Sequence, residues 1–143
     1  MKMRRVWVLC CLLIVNTEMT SYADDSSRQL VQMPEKMQQH MLANMREHLQ
    51  AISGILFHLA NNELDAAAQL AEQNLGMSSL ESHGAEHMAK FMPEGMRRAG
   101  TAMHRAASHF ALMAQEGELL PAVKSLAEVT KTCVSCHAVY RIR

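Results

Sequence analysis

The sequence predicts an all-α protein, an antiparallel up-and-down bundle of four helices. Three features point there. Apolar residues recur at three- and four-residue steps through long stretches, and short interruptions marked by Asn, Gly and Pro separate those stretches. Strand signals are nearly absent, with little two-residue alternation and only 4% aromatic residues.

The chain opens with Lys2, Arg4 and Arg5, an apolar run from Val6 to Val15, and a polar stretch ending in Ser21, Tyr22 and Ala23. Small side chains at the first and third of these last positions fit cleavage after Ala23, and the run is too short to span a bilayer. Residues 1–23 are therefore expected to be a cleavable secretory signal, taking Cys10 and Cys11 with them. Residues 24–143 then form a single domain of ordinary size, with no stable membrane insertion once the signal is removed.

Residues 24–33 are polar and loose. Pro34 suits the first position of a helix, with Glu35 favourable in its first turn. From there Met37, Met41, Met45, Leu49, Ile52, Leu56 and Leu59 trace an amphipathic stripe that Asn61 and Asn62 end. A second helix runs from Glu63 to Asn74, with Leu64, Ala67, Ala68 and Ala71 inward and Gly76 as its stop. Ser78 and Glu81 have capping-box spacing, so a further turn or two extends toward Lys90. Pro93 starts the next long helix, striped by Met96, Ala99, Met103, Ala107, Phe110 and Ala114 and interrupted at Gly117. The last begins between Glu118 and Pro121 and carries Val123, Leu126, Thr130, Cys133, Val134 and His137 along one broad side. Short connections make these neighbours antiparallel, so the end of the last helix adjoins the beginning of the first.

The signal segment holds three of the fourteen Lys/Arg and one of the fourteen Asp/Glu, so the remainder is slightly acidic and offers no basic footprint for nucleic acid. Only Cys133 and Cys136 remain after its removal. A disulfide between them would close too short a loop to staple the fold.

Those two cysteines belong to Cys133-Val134-Ser135-Cys136-His137, the C-x-x-C-H arrangement of covalent c-type haem attachment. Two thiols three positions apart on a helical turn form thioethers to the two vinyl groups of one haem, and the adjacent imidazole reaches the iron as proximal ligand. A closed zinc site would need a second pair of ligands, and a dithiol redox pair belongs at a helix start in a βαβ unit. Neither context exists here. One covalent haem c, near one end of the bundle, is the expected cofactor.

The full segment Cys133-Val134-Ser135-Cys136-His137-Ala138-Val139-Tyr140-Arg141, late on the last helix of a four-helix reading and behind an export signal, resembles the class II c-type cytochromes, the cytochrome c-prime and cytochrome c-556 group. In that family an aromatic and then a basic residue commonly follow the histidine, as Tyr140 and Arg141 do here. The resemblance implies a periplasmic protein in which Cys133 and Cys136 hold the haem and His137 is the proximal ligand. Relatives of the c-556 type place a first-helix methionine on iron and carry electrons, which singles out Met41 as distal ligand and Met37 second, with Met45 one turn farther along. Relatives of the c-prime type leave that position open and bind nitric oxide or other small gases. A third reading is a haem-free metal-binding helical protein.

Arg141 suits pairing with a haem propionate, since guanidinium matches the two oxygens of a carboxylate, with a freely solvated terminal residue as the alternative. His83 and His87, one helical turn apart, could take a metal with Met77 or Met88, although solvated histidines are the simpler account. His40 and His48 are expected to have no role at iron, one on the polar side and the other too deep. The expected activity is one-electron transfer without enzymatic catalysis, through transient contact with periplasmic redox partner proteins. An apolar first-to-second helix face also suits a homodimer.

Overall fold

A computed structural model describes residues 27–143; the predicted signal segment lies outside them. The order is β1 (Gln29–Leu30), α1 (Glu35–Ala60), α2 (Leu64–Asn74), a 3-10 turn (Met77–Ser79), α3 (Ala85–Ala89), α4 (Glu94–Gln115), α5 (Leu119–Val139) and β2 (Tyr140–Arg141). The four long helices fall where the sequence places them, but their buried sides differ from the expected stripes: Leu49 and Leu56 of α1 and Val123 and Val134 of α5 are exposed, while Ile55 and Val129 are fully buried. Pro34 and Pro93 sit one position ahead of α1 and α4, each followed by a glutamate that complements the positive end of the helix. At the far end of α1, Asn61 donates its side-chain amide to Phe57 O at 2.8 Å, and Asn62 takes a left-handed turn with φ 59.

Two features correct the clean four-helix expectation. The 78–90 segment is not one helix, because Gly84 adopts φ 62 and breaks it into the 3-10 turn and the five-residue α3. Ser78 does not cap toward Glu81 either; its hydroxyl donates to Glu72 O at 2.8 Å and its N–H to Glu72 Oε1 at 3.1 Å, tying this segment to the end of α2. The second correction is a parallel two-stranded pairing of Gln29 with Tyr140 and Leu30 with Arg141. It forms because the backbone turns extended at Tyr140, with φ −119 and ψ 146, as it leaves α5. The described residues thus form an all-α fold with five helices and a small β pairing at one end.

Around the bundle α1 packs on α2, α2 on α4 and α4 on α5, whereas α1 and α5 approach each other only sparsely. That seam is drawn together at its lower end, where Val31 N–H donates to Arg141 O at 2.8 Å and the Gln38 side-chain amide donates to Ile142 O.

The interior falls into two parts. One is a closed core in which Ala67, Ala68, Ala71, Ala107, Ala114 and Ala122 let three helices approach closely around Phe110, Ile55 and Val129. Small residues at the contacts permit this density, and burial of the larger apolar side chains supplies most of the stability. The other part is built of methionines: Met41, Met88 and Met96 are buried with Val31, and Met33, Met37, Met45 and Met92 pack against them beside Cys136 and Tyr140. Thioether chains fill irregular space without locking it. Among the described residues no helix is long and apolar enough to cross a membrane.

Phe110 is the largest fully buried side chain, whereas Leu112 on the same helix is 61% exposed. Phe110→Ala is expected to lower unfolding stability by about 3–5 kcal/mol and Leu112→Ala by less than about 0.5 kcal/mol. Chemical denaturation of the two variants checks this; equal losses would mean that the core is misplaced.

Candidate haem-binding site

The helical rise of α5 puts Cys133 and Cys136 three positions apart on the side that faces the seam with α1. Both thiols are free and half-buried. Cys133 packs against the closed core and donates to Val129 O at 3.5 Å, while Cys136 packs against the methionines. The motif therefore straddles the border between the two parts of the interior. Burial pushes both thiols above the ordinary cysteine value, and for Cys136 the neighbouring Cys133 adds to the effect. They are neutral thiols in the folded chain.

His137 follows at the edge of a cavity of about 410 Å³ whose wall is mostly apolar. Met41, Met45, Met88, Met92, Met96 and Met103 supply thioethers to that wall from α1, α3, α4 and the loop after α3. Gly100 on α4 faces the open space, since a Cβ built there would meet nothing within 4 Å. These features fit a flat apolar prosthetic group: a preformed cavity at the thiols, a wall to which the described residues bring no acidic side chain, and a helix position left bare toward it.

Each residue singled out in the sequence can now be placed. Cys136, His137, Met41 and Arg141 line the cavity, and Cys133 lies one turn back along α5. Met37 packs against the methionine cluster, behind the wall. Met45, reached one turn beyond Met41, has its side chain in contact with that of His137. Arg141 is joined at the cavity by Arg28 and Arg143, and Arg28 donates to His137 O at 3.4 Å. Sequence reasoning missed Arg28 because it stands far from the motif and arrives only through the β1–β2 pairing. Tyr140 lies against Gly95 of α4, where a Cβ would collide with its hydroxyl.

The histidines depart most from what the sequence predicts. Gly84 separates His83 from His87, so the two do not share a helical face; His83 is buried and His87 exposed. His48, expected to be too deep for the site, lines the cavity, as do His83 and His104. His48 Nε2 lies 3.4 Å from His83 Nδ1, and Ser79 Oγ lies 3.3 Å from His83 Nδ1 and 3.4 Å from His104 Nδ1. His40 Nε2–H and the Asn44 amide both donate to His83 O, at 2.9 and 3.0 Å. His40, Asn44 and His48 form a four-residue-step polar stripe on α1 beside the methionine stripe. Its signal was in the sequence, but nothing there named the His83 segment as its partner.

No family model, curated protein or solved structure matches the chain. The Cys133-x-x-Cys136-His137 spacing and the His137–Met45 contact support covalent attachment of one haem c with histidine and methionine as axial ligands, as in c-type cytochromes generally.

Burial, reinforced by His83, His104 and His137, holds the His48 imidazolium down at about 4 against an ordinary 6.5. Between those values the unfolded chain binds the extra proton, so stability is full above pH 6.5 and falls as the pH drops toward 4. The loss attributable to this residue is on the order of 2–3 kcal/mol. Denaturation midpoints of the wild type and of His48→Leu, compared between pH 7 and pH 4.5, are expected to show a shallower decline in the variant; parallel declines would refute the assignment.

Proposed function

We propose that this protein is a class II c-type cytochrome of the c-prime and c-556 group, a periplasmic electron carrier whose residues 24–143 form one haem-binding domain after removal of 1–23. The observation that carries the reading is the position of the attachment motif. It lies at the end of the last helix, facing a methionine-lined cavity whose opposite wall is the start of the first helix. Haem bound there supplies one-electron chemistry at its iron.

What the chain contributes follows from its side chains. Cys133 and Cys136 tether the group to a helix packed against α4. His137 presents the proximal imidazole. The distal donor comes from the α1 stripe: Met41, buried in the cavity wall, and Met45, touching His137, are favoured, with Met37 behind them. A thioether is soft and stabilises the ferrous state, raising the potential. The methionine wall excludes water and so limits solvent reorganisation when charge changes. Arg141 answers the carboxylates of the group at the mouth, since a guanidinium pairs two oxygens at once.

Two exposed apolar surfaces accompany this reading. Val134 within the motif and Val139 just after it are exposed on α5 and offer a small contact for a redox partner. Leu49, Leu56 and Phe57 on the outer side of α1 offer a face for a second copy of the chain, lying on α1 alone rather than across α1 and α2.

Protein produced in a cell competent for cytochrome maturation is expected to carry one haem by mass and to show a low-spin ferric spectrum with a sulfur-to-iron charge-transfer band. Cys133→Ala with Cys136→Ala abolishes covalent haem. Substitution by leucine at Met41, Met45 and Met37, one at a time, removes the charge-transfer band only at the true distal ligand. A high-spin ferric spectrum in the wild type, with ready uptake of nitric oxide, would replace the electron carrier by a gas-binding protein. Absence of haem would leave the haem-free metal-binding reading.

A further inference from the structure

We infer that the outer layer formed by the second half of α1 and the first half of α5 is the contact through which two copies of this chain pair. The layer continues the α1 face named above onto a second helix, and it does not depend on haem. Among the described residues, most of the exposed large apolar side chains lie on these two helices. On α1 Leu49 is 71% exposed and Leu56 53%; on α5 Leu120 is 63% exposed, with Leu119 and Val123 beside it.

Helical geometry puts the two rows on one side of the molecule. A Cβ built on Gly54 would collide with Leu70, so that side of α1 faces α2. Leu56, two positions on, is turned from it by about 200°, and Leu49, five positions back, by about 140°. On α5 the Ser125 hydroxyl lies 3.0 Å from His109 Nδ1, so that side faces α4. Val123 and Leu120, two and five positions back from Ser125, are turned away by the same angles. Turning away from α2 and turning away from α4 lead to the same outer layer, because α1 packs on α2 and α5 on α4. Beneath it Ile55 and Leu59 share the closed core with Ala122 and Leu126, so the end of α1 adjoins the start of α5.

The chemistry of the layer selects its occupant. From Leu49 to Ala60 there is no Asp, Glu, Lys or Arg, and none from Leu119 to Val123; Glu63, Glu118 and Lys124 stand at the border. Such a surface offers no charge to steer a redox partner and no basic residue to hold a lipid headgroup. An apolar centre with a polar rim is the composition of a contact between copies, and a twofold axis brings the same patch from each side. The area also suffices. At roughly 200 Å² for a large apolar residue, the exposed parts of these five and of Phe57 at their edge amount to on the order of 600 Å². That is the upper end for the largest patch of an ordinary monomer, and Ser53, Ala60 and Ala127 bring it toward the about 800 Å² that each partner gives to a stable interface. Cys133 lies ten residues beyond Val123, about 15 Å farther along α5, so pairing here leaves both attachment motifs uncovered.

Sedimentation equilibrium of the holoprotein tests the contact. The wild type is expected to be a dimer at micromolar concentration, and Leu56→Glu and Leu120→Glu are each expected to weaken it at least tenfold by burying an unpaired charge. Leu112→Glu, equally exposed but on α4, is expected to leave it unchanged. A wild type that stays monomeric, or a dimer insensitive to both α1 and α5 substitutions, would overturn the proposal. Co-sedimentation of a monomeric wild type with phosphatidylcholine vesicles would also overturn it, giving the layer to lipid. Should the variants misfold, hydroxyl-radical labelling of the wild type decides: raising its concentration protects Leu49, Leu56 and Leu120 but not Leu112, and unchanged labelling refutes the contact. The Soret band of the same samples reports haem, which keeps failure of the cytochrome reading separate from failure of the pairing.

Discussion

The tie between the two ends of the described chain governs the site. α5 leaves its helix at Tyr140, and the extended backbone that follows pairs with Gln29 and Leu30 just ahead of α1. Val31 and Gln38 add hydrogen bonds to Arg141 and Ile142. These few contacts hold the first and last helices together at one end while the rest of their seam stays sparsely packed. Thiols on α5 and thioethers on α1 face each other across that seam. Without the tie, the α1–α5 seam would have little backbone contact to close it at the motif end.

The division of the interior follows from residue size. Alanine at the contacts of α2, α4 and α5 brings their backbones together and leaves no room for a ligand. At the other end, long flexible methionines replace the alanines, and Gly100 leaves a position of α4 bare. On α4 the passage from Ala107, Ala111 and Ala114 to Met96, and on α1 from Ala51 to Met45 and Met41, thus becomes a change from closed core to adaptable wall. A cofactor cavity arises at one end without a separate domain to hold it.

How much of this could be read beforehand depended on whether the signal was local. The attachment motif is five adjacent residues and was legible, as were the long helices and the nearness of the chain ends; the α1 stripe was legible only in part, since Leu49 and Leu56 of that pattern are exposed while Asn44, His48 and Ile55 are buried. Met45 was visible as a member of that stripe, but periodicity gives a ligand and a packing methionine the same spacing. The β pairing was not legible, because two residues on each side form it and each strand is too short to show alternation. The break at Gly84 was hidden by the capping-like Ser78 and Glu81, whose spacing suits a helix that a left-handed glycine prevents. Most hidden were the three buried histidines. His48 shares a polar stripe with His40 and Asn44, His83 reads as the partner of His87, and His104 carries no local signal; the three meet only when the turn after α2 folds back across α4 to α1.

That convergence also accounts for a segment otherwise poorly furnished with structure. Residues 76–92 contain only a 3-10 turn and a five-residue helix, too short to stabilise themselves. What fixes them is polar: Glu72 to Ser78, His40 and Asn44 to His83 O, Ser79 to Gly76 O, and Met88 buried beneath. A buried imidazole costs stability unless its nitrogens find partners, and an apolar residue at 48 or 104 would satisfy the packing without that cost. Here the rings meet that requirement through Leu75 O, Ser79 Oγ and one another, so their polar contacts are what join the turn after α2 to α4 and α1.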